Sequence, residues 1–248
     1  MPAKPKFCLI TTPRSGSTWL TTLLDSHPQI KAFEEPFLWR EHRPNWRDEV
    51  FVSYYDYRKK SSAIRPWALF QYLDILDGYP GQHDTIGYKV MYNHILEQPE
   101  ILLKLIKDRY KLIHLVRANY LDILISRASK QQYGIAHSTQ KSQVKPVVLD
   151  TDCLLKTIQS YERNYIIAKQ LIELLPLDCL EITYEALRDD TEKVLSKVTD
   201  FLGVDSYLNL TSSLKRVNGG SYREKIVNYE EVSSLLTPTK YAKFLSNK

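Results

Sequence analysis

Cysteine is scarce: the 248 residues hold three, Cys8, Cys153 and Cys179. They are odd in number and far apart, and neither CxxC nor HxxxH spacing accompanies them, which excludes the common zinc sites and a disulfide framework. Reduced, structural thiols are the expectation. No run of 18 apolar residues occurs, so no stable membrane insertion is expected. The opening MPAKPKFCLI lacks the long apolar segment of a secretory signal, and a cytoplasmic location is expected. The triphosphatase pattern GxxxxGK[ST] is also missing, because residues 11–19 lack both its first glycine and its lysine. That argues against a conventional ATPase or GTPase. Charge excludes little: 34 Lys and Arg against 29 Asp and Glu leave +5, which suits an anionic ligand but is shared by many proteins without one.

What is present is an alternation of strand and helix. Residues 6–12, KFCLITT, form a nearly continuous apolar run, as in a strand buried on both faces. Helical spacing follows at Trp19, Leu20, Leu23 and Leu24 and stops near His27-Pro28. TIGYKVMY (85–92) is a second strand, ILLKLIKDRY a short helix and KLIHLV (111–116) a third strand. NYLDILISRASKQQYG is a helix closed by Gly134. An amphipathic helix over about 152–175 leads to a fourth strand, CLEITY (179–184), and a helix reaching FLGV (201–204). This order predicts an α/β fold whose central parallel sheet is flanked by helices on both faces. With no repeat or low-complexity linker, residues 1–248 are expected to form a single domain. Residues 38–63 and 135–150 fit neither period and are expected to be irregular, as surface excursions or as the mouth of a site.

The first strand joins the first helix through Pro13, Arg14, Ser15, Gly16, Ser17 and Thr18. Such a turn aims backbone N–H groups and the positive end of a helix at an anion. Gly16 permits close backbone approach, Ser15, Ser17 and Thr18 offer hydroxyls, and Arg14 adds a planar, permanently charged donor. A plainer alternative is an N-cap in which Ser15 or Ser17 satisfies helix amides and Arg14 is solvated. Where triphosphatases often place a metal-holding aspartate, KLIHLVR ends in Arg117. That position faces the ligand crevice of an open parallel sheet. Ser126, nine residues on, is placed to share a second anion. Two anion sites without a metal are the expectation.

Together these stretches resemble the sulfotransferases that use 3′-phosphoadenosine 5′-phosphosulfate (PAPS), a donor with two separated anionic groups. PRSGSTW (13–19) resembles their 5′-phosphosulfate loop, with Arg14 where many members have lysine. HLVRANYLDILIS (114–126) resembles their 3′-phosphate element, and its nine-residue Arg117-to-Ser126 spacing is similar to that of bacterial carbohydrate-type members. FEEPF (33–37) resembles an acidic-proline motif in which a glutamate is the base, and GYKVM (87–91) a Gly-x-Lys segment. ITYEAL (182–187), followed by FLGV, resembles the tyrosine segment that borders adenine, and Trp19 stands where the family stacks an aromatic near that ring. LKRVNGGSYREKI (214–226) loosely resembles a second phosphate-binding loop, with Lys215, Arg216 and Gly219 as candidates; solvated surface charges are the alternative.

The resemblance implies a P-loop-like fold, PAPS as donor, adenosine 3′,5′-bisphosphate (PAP) as product, and no metal. It implies that Arg14 and Lys89 stabilise the bridging and sulfonyl oxygens. Ser15, Gly16, Ser17, Thr18, Trp19, Arg117, Ser126 and Tyr184 would hold the nucleotide, although Trp19 and Tyr184 also suit a core and Lys89 a snorkelling surface position. Relatives that act on phenols and steroids use a histidine two residues after the lysine. Met91 occupies that place, so Glu35 is expected as general base, with Glu34 its immediate competitor and His94 and His137 behind them. His114 lies within a strand and is not expected to act. The acceptor implied is a polar small molecule or saccharide, with no nucleic acid partner; a homodimer is compatible. Two other functions stay open. A small-molecule or nucleoside kinase would need a triphosphate loop and a metal carboxylate, and a nucleic-acid-binding module would use the aromatic and basic residues of YYDYRKK (54–60).

Overall fold

The computed structural model describes residues 5–38, 52–134, 145–206, 210–212 and 221–246. Its sheet has five strands, β1 (Lys6–Thr11), β2 (Ile30–Phe33), β3 (Thr85–Met91), β4 (Lys111–Val116) and β5 (Cys179–Thr183). All neighbours pair parallel, in the order β2-β3-β1-β4-β5. The helices are α1 (Ser17–Asp25), α2 (Tyr54–Lys60), α3 (Trp67–Asp77), α4 (Tyr92–Glu97), α5 (Glu100–Lys107), α6 (Tyr120–Tyr133) and α7 (Leu154–Glu173). They continue with α8 (Tyr184–Asp189), α9 (Thr191–Leu202), α10 (Tyr222–Lys225) and α11 (Tyr229–Leu236), before a 3-10 segment at Lys240–Leu245. No helix among the described residues is long and apolar enough to cross a membrane.

The α/β architecture is the one the alternation predicts, and side-chain parity explains its two faces. On β1, Cys8 and Ile10 join a core cluster with Leu69, Leu73 and Leu76 of α3 and Ile101 and Leu105 of α5. Phe7 and Leu9 point the other way, into a cluster with Leu20, Leu23 and Leu24 of α1 and Val194, Val198 and Leu202 of α9. A central strand buried on both faces therefore carries a run of apolar residues instead of an alternation. A third cluster joins α6, α7 and the C-terminal elements through Leu121, Ile158, Val232 and Phe244.

Three expectations are corrected. Four strands were expected and five occur; β2 is only four residues long, with Lys31 inside it. Residues 54–60 are not irregular but form α2, because the Ser53 side chain caps the Asp56 N–H and Arg58, Lys59 and Lys60 occupy the last turn, where a helix favours cations. Its aromatics are also not displayed for stacking: Tyr54 is buried, and Tyr55 and Tyr57 pack on the core. Residues 145–150 are irregular as expected but are no surface excursion: Val147 and Leu149 are buried core residues, and Val147 pairs with Ile226.

At the amino end of the sheet, Lys6 Nζ lies 2.8 Å from Asp77 and 3.0 Å from Asp108. Lys104 completes the cluster, pairing with Asp74 and with Asp108 at 2.6 Å. Tyr110 donates to both Asp77 oxygens at 2.6 and 2.7 Å. Burial holds the Asp77 carboxyl above the usual carboxylate range, against the opposing pull of Lys6 and Tyr110.

Candidate active site

The order β3-β1-β4 makes the carboxyl end of β1 the point where the chain's winding reverses, the place where open parallel sheets bind ligands. Each strand delivers one candidate group there: Arg14 just after β1, Glu35 after β2, Lys89 near the end of β3, Arg117 after β4 and Tyr184 after β5.

The turn after β1 has Arg14 at φ 68° and Gly16 at φ 85°, both left-handed. Such a conformation at Arg14, a residue with a Cβ, costs of order 1–3 kcal/mol and persists only where surrounding structure enforces it. The enforcement is visible: Thr11 donates to the Leu115 carbonyl at 2.7 Å, and Ser15 meets the Thr11 hydroxyl at 2.6 Å, all three residues being buried. The Ser15 hydroxyl is thus turned inward to hold the loop. Gly16 is the N-cap of α1, and among the described residues no side chain caps that helix start. The N-cap alternative is therefore not what forms; the positive end of α1 is left for something else.

Arg14 reaches across to α6, where Nε and Nη2 donate to Ser126 Oγ at 2.9 and 2.8 Å. This joins the two elements that sequence treats as separate anion sites. Arg117 lies beside it and is only 6% exposed. Its Nη1 donates to the Arg14 carbonyl at 3.0 Å, its Nη2 lies 3.2 Å from Asp122, and its Cζ sits 4.3 Å from the centre of the Tyr184 ring. Arg117 Nε is buried and has no hydrogen-bond partner among the described residues, an arrangement that native interiors rarely tolerate without a ligand or water to accept. Burial, then repulsion from Arg117, lowers the Arg14 pKa from its ordinary value, with Glu35 opposing. Two crowded cations beside an uncapped helix start are relieved by an anion placed between them.

On β3, Ile86, Tyr88 and Val90 face the α3 side, so Lys89 faces α1. It is fully buried and does not snorkel. Its Nζ donates to Thr18 Oγ1 at 3.0 Å and lies 3.1 Å from Glu35 Oε1. The missed strand β2 is what carries Glu35 to this place. Trp19 meets Tyr184 edge-on at 6.3 Å. Tyr184 also closes over Gly16, where an added Cβ would lie 2.3 Å from its ring. Ser17, at the start of α1, is buried.

A family model described as "Sulfotransferase family" matches residues 5–207. The chain belongs to the sulfotransferase family. Solved sulfotransferases share its fold: one from Alicyclobacillus acidocaldarius superposes with a TM-score of 0.53 at 16% identity, covering 98% of this chain and 94% of that one. A mouse sulfotransferase complexed with PAP gives 0.50 at 15% identity, covering 98% and 64%. An uncharacterized protein of Aquifex aeolicus is 24% identical over 262 residues, covering 96% of this chain. The chain spans about a third (32%) of that curated relative's length.

Other expected residues have distinct fates. Lys215, Arg216, Gly219 and His137 lie outside the described residues. His94 is buried, with Nδ1 accepting from the Met91 N–H at 3.2 Å. His114 sits inside β4 between Tyr92, 2.6 Å away, and Glu181, 3.0 Å away. Sequence reasoning missed Thr11, which latches the loop, and Asp122, the partner of Arg117. An acidic residue in the first turn of α6, five residues after an arginine, was the available signal for the second.

Proposed function

We propose that this sulfotransferase-family chain moves a sulfuryl group from PAPS to a hydroxyl or amine of a polar small molecule or saccharide, without needing a metal ion. The observation that carries this is the crowding of Arg14 and Arg117 beside the turn that opens α1, with a buried Arg117 N–H that has no partner among the described residues. The donor set fits a phosphate: guanidinium N–H groups beside the backbone amides of a tight turn that opens a helix. The mouse relative was solved with PAP, a ligand with two anionic ends, and we carry that ligand class to this chain. The backbone amides from Arg14 to Thr18 take the 5′ end, and Arg117 and Ser126 take the 3′-phosphate, aided by Lys215, Arg216 and Gly219. Trp19 and Tyr184 border the adenine.

When bound, PAPS supplies an activated sulfuryl group whose bond to the 5′-phosphate breaks as the acceptor oxygen or nitrogen bonds to sulfur. Arg14 and Lys89 offset the charge that develops on the departing oxygen. Glu35 takes the acceptor's proton. Its ion pair with Lys89 links the two tasks, because protonating Glu35 frees the Lys89 charge for the leaving group.

A thermal-shift comparison tests the proposal. PAP should raise the melting temperature in a concentration-dependent way, and ATP with magnesium should not. Preference for ATP with magnesium would favour the kinase alternative.

A further inference from the structure

Arg117 is already half-answered by this chain's own carboxylate. Asp122, in the first turn of α6, lies 3.2 Å from Arg117 Nη2. Its other oxygen accepts from Tyr222, a buried residue of α10, at 3.1 Å. Asn119, the N-cap of α6, donates its side-chain N–H to that same Tyr222 oxygen at 2.8 Å and to the Phe244 carbonyl at 3.2 Å. An unbroken polar chain thus runs from the arginine, through one carboxylate, to the segment that follows residues 213–220.

Asp122 is not needed to neutralise Arg117 once a phosphate is present. It would then stand beside an arriving anion as a like charge, competing for Nη2, while Nε stays open to the newcomer. We infer that Asp122 is a displaceable counter-anion: it holds Arg117 in place when no nucleotide is bound and sets how tightly a 3′-phosphate binds, with Tyr222 sharing its charge. This rests on the nucleotide reading above. Asp122 acts through Arg117 and is a positioning residue, not a catalytic one. Tyr222 moderates it, because a hydrogen bond donated to a carboxylate draws off part of the charge that Arg117 would otherwise meet.

Calorimetric titration of the purified chain with PAP and with adenosine 5′-monophosphate, which lacks the 3′-phosphate, tests the idea. Asp122→Asn keeps the side chain's shape and an oxygen for Arg117 but removes the charge. Affinity for PAP should rise roughly five- to tenfold, with affinity for the monophosphate unchanged. Tyr222→Phe should lower PAP affinity about two- to threefold, because Asp122 then commits its charge more fully to Arg117. Melting curves of both variants verify that they are folded. Should Asp122→Asn leave PAP affinity unchanged, lower it, or shift both ligands alike, Asp122 is not a competing anion. A wild-type chain that fails to bind PAP would instead remove the nucleotide reading itself, so the two failures are distinguishable.

Discussion

Gly16→Ala isolates the physical basis of the loop. At φ 85° the backbone is left-handed, which costs a residue with a Cβ roughly 1–2 kcal/mol. The added carbon would also lie 2.3 and 2.6 Å from two ring atoms of Tyr184, so the ring must move by about 1 Å to reach ordinary contact. Overpacking of this kind costs about 1–3 kcal/mol. The total, about 2–5 kcal/mol, is a large share of a typical folding stability of about 5–15 kcal/mol. For a chain of this size it should lower the melting temperature by roughly 5–15 °C. The ring cannot shift without disturbing its stacking on Arg117, 4.3 Å away, so PAP affinity should fall as well. Urea unfolding of wild type, Gly16→Ala, Tyr184→Ala and the double variant separates the two contributions. In the Tyr184→Ala background only the backbone cost should remain. If Gly16→Ala alone unfolds within 1 kcal/mol of wild type, the glycine is not under the constraint described.

Three further outcomes are expected. Glu35→Gln retains an oxygen for Lys89 but not the charge, so turnover should drop at least about a hundredfold while PAP binding is largely spared; a fully active variant removes Glu35 as base. Arg117→Ala should weaken PAP binding roughly 10- to 100-fold through loss of a charge-assisted hydrogen bond, and unchanged calorimetric affinity contradicts its role. His114 is buried, and desolvation holds its pKa below the ordinary imidazole value, with Glu181 opposing. The unfolded chain therefore takes up the proton first as pH falls. The contribution of His114 is full above about pH 6.5 and is lost as pH drops through the folded value. Melting temperature should fall from pH 7.5 to pH 5 more steeply for wild type than for His114→Gln, and parallel profiles would refute this.

The strands that position Arg14 and Arg117 were legible because burial on both faces leaves a simple mark, as in residues 7–10 and 112–116. β2 leaves none: Ile30–Phe33 is too short for a period to show, and it runs directly into the charged pair Glu34 and Glu35. α2 was hidden because its apolar surface is made of tyrosines, whose rings pack while their hydroxyls reach Gln71 and Glu97. The pairing of Arg14 with Ser126 and of Arg117 with Asp122 is set by how α6 lies across the β1 turn, and linear spacing carries no trace of that. Lys89 illustrates the same limit. Alternation alone puts it on the α1 side, but its partner Glu35 arrives from β2, whose four residues carry no period.

Among the described strands β2 is an edge, bonded to β3 alone, whereas Arg14 and Arg117 hang from the interior strands β1 and β4. On the proposed function, the residues assigned to the nucleotide are thus rooted in the interior of the sheet, and the group assigned to the acceptor rests on its rim. If that proposal holds, re-registering or replacing one outer ribbon would alter the acceptor side while leaving the donor side in place.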